Sequence, residues 1–321
     1  MQDDVQDFDP DLADLPKRGW LNKLAEVSEA EGFFETLGKR HFATHIRRGD
    51  TLLVTFETVQ GIRALSGSFE PLGWSMVRDH GWSNLCLVSD GDTWFRDRNV
   101  FGLFDRLIDE GFFDEFDTIL FYGAGPCGYA AATYSVAAPG AQVMAIQPQA
   151  TLDPRVTEWD DRFTDMRRTD FTSRYGYAPD MLDACEHAFV LYDPSETLDA
   201  MHAALFTRTR VTKLRMRHMG DTIQSEMMQM GILLPLLEQA ASGTLTVPSF
   251  AKAFRARRNH RPYLRRVMAA LDARARDGLV FVLACNVTSR MKAPRFQRRL
   301  AEIEARRAQE ATYGHGGPPT L

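Results

Sequence analysis

The sequence predicts an α/β domain built on a mainly parallel sheet of about six or more strands, followed by a C-terminal α-helical region. Three observations carry this. Short apolar runs alternate with longer stretches of helical spacing, the order in which strands feed crossover helices. Most of the runs are continuous rather than alternating, so both faces of the sheet are covered. After Ser242-Gly243 the strand signal stops and only helical spacing remains.

Taken in order, residues 1–18 hold six aspartates and two prolines among few large apolar groups, the composition of a disordered acidic arm. The α/β domain is expected over 19–242, a basic helical region over 243–310 and a disordered tail over 311–321. Strands are expected at 51–56, 84–88, 118–122, 142–147, 189–192 and 211–216. Helices are expected at 100–110, 128–138, 195–206 and 222–240, with Ser195 and Asp221 suited to cap the last two. The insertion 151–186 reads either as a lid or as a surface excursion with a small core of its own. Beyond 243 the helical stretches are 247–258, 262–276, 279–290 and 294–309.

The formal net charge of -5 over 321 residues conceals a division. Residues 207–321 carry 21 Lys+Arg against 8 Asp+Glu, a net +13 that leaves -18 for the rest. Such asymmetry suits a basic region that docks on an acidic surface, in a homo-oligomer or on an acidic protein partner. Nucleic acid is not expected, because the basic segments carry few aromatics for stacking on bases. No apolar run reaches the roughly 18 residues of a membrane span, and the acidic start lacks a secretory pattern. A cytoplasmic location is expected.

Cys86, Cys127, Cys185 and Cys285 show no paired spacing, so neither a zinc ribbon nor a disulfide framework is indicated. His41 and His45 lie four apart without the intervening glutamate and third ligand of a zinc site. No metal and no cofactor is assigned. Trp74, Trp82, Trp94 and Phe95 fall near the sheet's expected C-terminal edge, and read first as core and second as pocket wall.

The most informative segment runs from Asp117 through Gly123-Ala-Gly125-Pro-Cys127-Gly128-Tyr-Ala-Ala. A buried strand enters a small-residue turn and then a helix. One reading is the elbow that lifts a nucleophile above a sheet, with an acid after a later strand and a histidine after the last. Asp193, after Phe-Val-Leu-Tyr, and His218, after Val-Thr-Lys-Leu-Arg-Met-Arg, keep that order. Each has a plainer reading, Asp193 as a strand exit and His218 as part of a basic face.

Here the chain resembles the α/β-hydrolase-like proteins of bacterial surface-polysaccharide and accessory secretion loci, whose elbow reads like Gly-Ser-Ser-Met-Gly-Gly-Tyr-Ala-Ala. Cys127-Gly-Tyr-Ala-Ala, Ala145-Ile-Gln-Pro-Gln149, Asp193 and His218 follow that layout over about residues 50–240. The resemblance implies an envelope-polysaccharide role with a small molecule or glycan as ligand. It also exposes a departure, because aligning Gly128-Tyr-Ala-Ala puts Gly125 where the serine stands. Glycine has no side chain to attack anything. The next residue, whose N–H serves the oxyanion hole, is Pro126, which has none. The expected protein is therefore a catalytically degenerate one that binds a ligand or partner.

Two alternatives stay open. A hydrolase or acyltransferase could use Cys127, or a water held by His218 and Asp193. The spacing Gly123-x-Gly125-x-x-Gly128 also matches a dinucleotide or anion loop, although the following strand ends in Gln147 rather than an acid. A phosphoadenosine phosphosulfate reductase is a further nucleotide-binding label, but neither a Ser-Gly-Gly-x-Asp-Ser loop nor a Glu-Cys-Gly-x-x-His segment is present, and Cys285 sits in Leu-Ala-Cys-Asn.

Overall fold

A computed structural model describes residues 8–65 and 67–314, with side chains to residue 310. The sheet has eight strands: β1 (Gly32–Leu37), β2 (His41–Ile46), β3 (Thr51–Thr58), β4 (Ser83–Ser89), β5 (Thr118–Ala124), β6 (Gln142–Ile146), β7 (His187–Tyr192) and β8 (Val211–Arg215). Their order is β1-β2-β4-β3-β5-β6-β7-β8. β2 runs antiparallel to both β1 and β4, and every other pairing is parallel. This is an α/β-hydrolase-like sheet. All six expected strands are present, and β4 and β6 are buried along their whole length, as unbroken apolar runs require.

The hairpin β1–β2 adds two strands that the sequence did not announce. β2 is buried throughout although it carries His41, Thr44 and His45. His41 Nε2 lies 2.8 Å from Thr93 Oγ1, and the His45 ring packs against Phe33 and Phe112 with centroids 5.2 and 5.1 Å away.

Helices cover the sheet. α1 (Lys17–Glu31) buries Trp20, Leu24 and Ser28, one stripe at four-residue spacing. α2 (Val59–Leu65) and α3 (Leu72–His80) follow β3, and α4 (Arg98–Asp109) begins at Asp97, whose side chain accepts from Asn99 N–H. α5 (Pro126–Tyr134) leaves β5 and is buried along nearly its whole length. α6 (Pro154–Thr157) and α7 (Ala178–Met181) are single turns in the 151–186 insertion. α8 (Thr197–Leu205) connects β7 to β8, and α9 (Ile223–Gln229) and α10 (Leu233–Ala241) replace the single helix expected at 222–240. Gly231, at φ 66°, breaks it. Ser195 and Asp221 do not cap. Glu196 and Thr222 hold the capping positions, with no side-chain capping bond.

The expected arm needs correction. Residues 1–7 lie outside the described residues, but Phe8 and Leu12 are buried, and Phe8 meets Trp74 edge-on at 5.2 Å. From residue 8 the segment belongs to the core beneath α1 and α3. Its two large apolar side chains outweigh the aspartates around them.

The chain divides into compact units at Ala256/Arg257, beyond the boundary expected at Ser242-Gly243. The first unit therefore includes α11 (Val247–Ala253), opened by a capping box between Thr246 and Ser249. The second unit holds α12 (Arg261–Asp272), α13 (Asp277–Arg290) and α14 (Pro294–Gly314). Leu264, Ala284, Val287 and Phe296 form its core, and Arg299 bridges Asp272 and Asp277, each at 2.9 Å. α14 enters the segment expected as a tail; residues 315–321 lie outside the described residues.

Candidate functional site at the Gly125 corner

β5 ends at Ala124, α5 begins at Pro126, and Gly125 alone makes the corner, with φ 58° and ψ -124°. That pairing is costly for any residue with a Cβ. The Gly125 N–H donates to Ile146 O at 2.8 Å, which ties the corner to the end of β6. A Cβ on Gly125 would meet nothing within 4 Å, so the corner faces open space. Gly123 differs: a Cβ there would sit 2.2 Å from Cys127 O, so only glycine lets the helix turn back this tightly. Pro126 fills the first helical position, which its missing N–H and fixed φ suit. The corner stands on the fifth strand, whereas a dinucleotide fingerprint usually opens its fold.

A cavity of about 330 Å³ lies over the corner. Gly125 and Pro126 form part of its wall, Gln147 and Asp199 another, and the 151–186 insertion supplies Arg162 and Phe163. A chain of hydrogen bonds runs behind this surface. Gln147, at φ 48°, donates from Nε2 to Asp199 Oδ2 at 2.6 Å and accepts at Oε1 from Ile223 N–H at 3.2 Å. Arg162 donates to Asp199 Oδ1 at 2.6 Å and to Asp160 Oδ2 at 2.8 Å. His202 Nδ1 accepts from Ala150 N–H at 3.1 Å, so its proton sits on Nε2 and is donated to Asp160 at 2.9 Å.

The electrostatics follow from this pairing. Burial raises the Asp160 carboxyl, but hydrogen bonds from Arg162 and His202 outweigh it and hold the group below its ordinary value. Burial pulls His202 below its ordinary value, only partly offset by Asp160, so a neutral imidazole donates. The insertion is held over the corner from two sides. Arg96 donates to the carbonyls of Asp170 and Arg174, at 2.9 and 2.7 Å, and the Tyr129 hydroxyl on α5 donates to Tyr175 O.

Asp193 ends β7 fully buried, with Oδ1 accepting from Ser195 N–H at 2.7 Å and Oδ2 from Gly220 N–H at 2.8 Å. The loop carrying His218 is thus brought to Asp193 through a backbone N–H. His218 itself is half-buried at φ 65°, and the cavity wall from this loop is Asp221 to Ser225. Cys127 is buried, and burial, reinforced by Glu57 and Asp92, pushes its thiol well above the ordinary value. An activated thiolate needs the opposite shift. Trp74, Trp94 and Phe95 are core residues, while Trp82 is half-buried beside His80. Trp94 backs the cavity, donating from Nε1 to Gln149 Oε1 at 3.0 Å and meeting Phe163 edge-on at 4.8 Å.

Asp160, Arg162, Asp199 and His202 are not among the site residues expected from the sequence. One signal was available: Asp199 and His202, three apart on an expected helix, share a face.

No family model matches the chain, and no curated protein matches it. Solved structures do resemble it at low identity. Carboxyl esterase 2 of Tuber melanosporum is 12% identical with a TM-score of 0.40, over 64% of this chain and 81% of the esterase. The capsule O-acetyltransferase of Neisseria meningitidis serogroup A is 11% identical with a TM-score of 0.36, over 60% of this chain and 91% of that enzyme. The Glycosylation Associate Protein (Gap123) complex of Streptococcus agalactiae is 10% identical with a TM-score of 0.41, over 64% of this chain and 45% of that one.

Proposed function

We propose that the protein is a catalytically degenerate α/β-hydrolase-like protein whose cavity over Gly125 holds a small polar ligand, of the glycan class implied by the sequence resemblance. The observation that carries this reading is the corner itself. Gly125 makes the corner between β5 and α5, faces open space and has no side chain to place there, and Pro126 removes the adjacent N–H. Loss of one oxyanion donor alone typically costs about 100- to 1,000-fold in turnover.

The wall supports binding. Arg162 and Gln147 both donate to Asp199, so the cavity presents a polar surface whose side chains are held in place by one another. Purified protein should hydrolyse short acyl esters no faster than the same protein with His218→Ala. Robust turnover lost on that substitution would contradict the proposal and favour a water activated by His218.

A further inference from the structure

A second cavity, of about 140 Å³, lies at the β1–β2 hairpin beside the carboxyl ends of β3 and β4, where Val59 and Asp90 begin the connections. Ligands of α/β sheets collect outside the carboxyl ends of strands. Trp20, Phe34, Phe42 and Val59 make its apolar wall, and Lys17, Lys39, Arg40 and Asp90 its charged rim. Trp20 and Phe42 meet edge-on at 6.3 Å, and Phe34 stacks on Phe42 at 5.5 Å.

The rim charges do not cancel. Asp90 is its carboxylate, and Lys17 Nζ pairs with it at 2.8 Å. Arg40 donates from Nε and Nη2 to the Asp90 backbone carbonyl, at 3.2 and 3.0 Å, and its charge acts on the same carboxylate as Lys17, so with Lys39 three cations face one anion. Lys39, exposed on the hairpin turn, makes no ion pair among the described residues. His41, also on the wall, is held neutral because burial lowers its imidazole. Two positive charges in excess therefore stand over an apolar pocket. Apolar cavities of about 150 Å³ hold one benzene ring.

We infer that this cavity binds a small aromatic carboxylate of benzoate size, its ring among Trp20, Phe34 and Phe42 and its carboxylate against Lys39 and Arg40. The site is separate from the Gly125 cavity and does not depend on the function proposed for it.

Titration calorimetry of the full chain with sodium benzoate tests this, with benzyl alcohol as neutral control and acetate as ringless anion. Benzoate should bind more tightly than either. Lys39→Glu should weaken benzoate about fivefold or more at low salt and leave benzyl alcohol unchanged. Leu21, half-buried, also lines this cavity, and Leu21→Trp, which would fill it, should abolish benzoate binding without changing circular dichroism; if it fails to fold, Lys39→Glu decides. Absence of benzoate binding, equal affinity for benzyl alcohol, or binding indifferent to the folded variants would overturn the inference.

Discussion

The carboxylate of Asp193 accepts the backbone N–H of Gly220 at 2.8 Å, while its other oxygen accepts Ser195 N–H at 2.7 Å. The acid at the end of β7 thus fixes the loop that carries His218. Removing it leaves the buried Gly220 N–H and the part-buried Ser195 N–H without their acceptor. Asp193→Ala should lower stability by about 2–4 kcal/mol in urea unfolding, and Asp193→Asn by less, because the amide keeps one acceptor. A loss under about 1 kcal/mol for the alanine variant would show that the loop holds without this bond.

Arg162 is the cation between two buried carboxylates, Asp160 and Asp199. Arg162→Met should cost about 3 kcal/mol, since breaking a buried pair strands its anion. Adding Asp199→Asn should restore part of that loss, so a double-mutant cycle by thermal unfolding reads a positive coupling. Strict additivity would mean that the two groups do not interact.

Glu57 gives a pH prediction. Burial outweighs its hydrogen bonds from Leu72 N–H, at 3.0 and 3.2 Å, and pushes its carboxyl up to about 7. The folded value lies above the unfolded value of 4.5, so the folded state binds the extra proton. The penalty is absent below about pH 4.5, grows as pH rises, and is complete above about pH 7. Glu57→Gln should therefore gain up to about 3 kcal/mol relative to the parent between pH 4.5 and pH 8 in urea unfolding. A difference independent of pH would contradict this titration.

Gly125→Ser asks whether the corner alone is at fault. A Cβ there meets nothing within 4 Å, so the variant should fold with a loss of about 1–3 kcal/mol from its positive φ. It should still fail to turn over acyl esters, because Pro126 supplies no N–H to a developing oxyanion. Turnover rising well above the parent would show that the donors survive elsewhere.

Most of the six expected strands were legible because they are continuous apolar runs buried on both faces, while β8, at the sheet edge, is half-buried and mixed in sequence. The β1–β2 hairpin was not, because the polar side chains of β2 are satisfied or enclosed by partners far along the chain: His41 by Thr93, His45 by Phe112. The Gly125 corner was legible for a local reason, since the Gly123 turn admits no side chain. The network beside it was hidden for a non-local one. Arg162 reaches Asp199 across 37 residues and His202 reaches Asp160 across 42, and periodicity carries no record of such pairings. Aspartate density in 1–18 misled because two apolar side chains, Phe8 and Leu12, suffice to anchor that segment from residue 8.

No side chain at the Gly125 corner should attack an electrophile. Intact-mass spectrometry after incubation with an excess of activated acyl ester and with iodoacetamide near neutral pH tests it most directly, with peptide mapping of any adduct. No acyl adduct should form in the cavity, and Cys127, whose buried thiol is pushed well above its ordinary value, should not be selectively alkylated. A stoichiometric adduct on Cys127, lost when His218 is replaced by alanine, would contradict it.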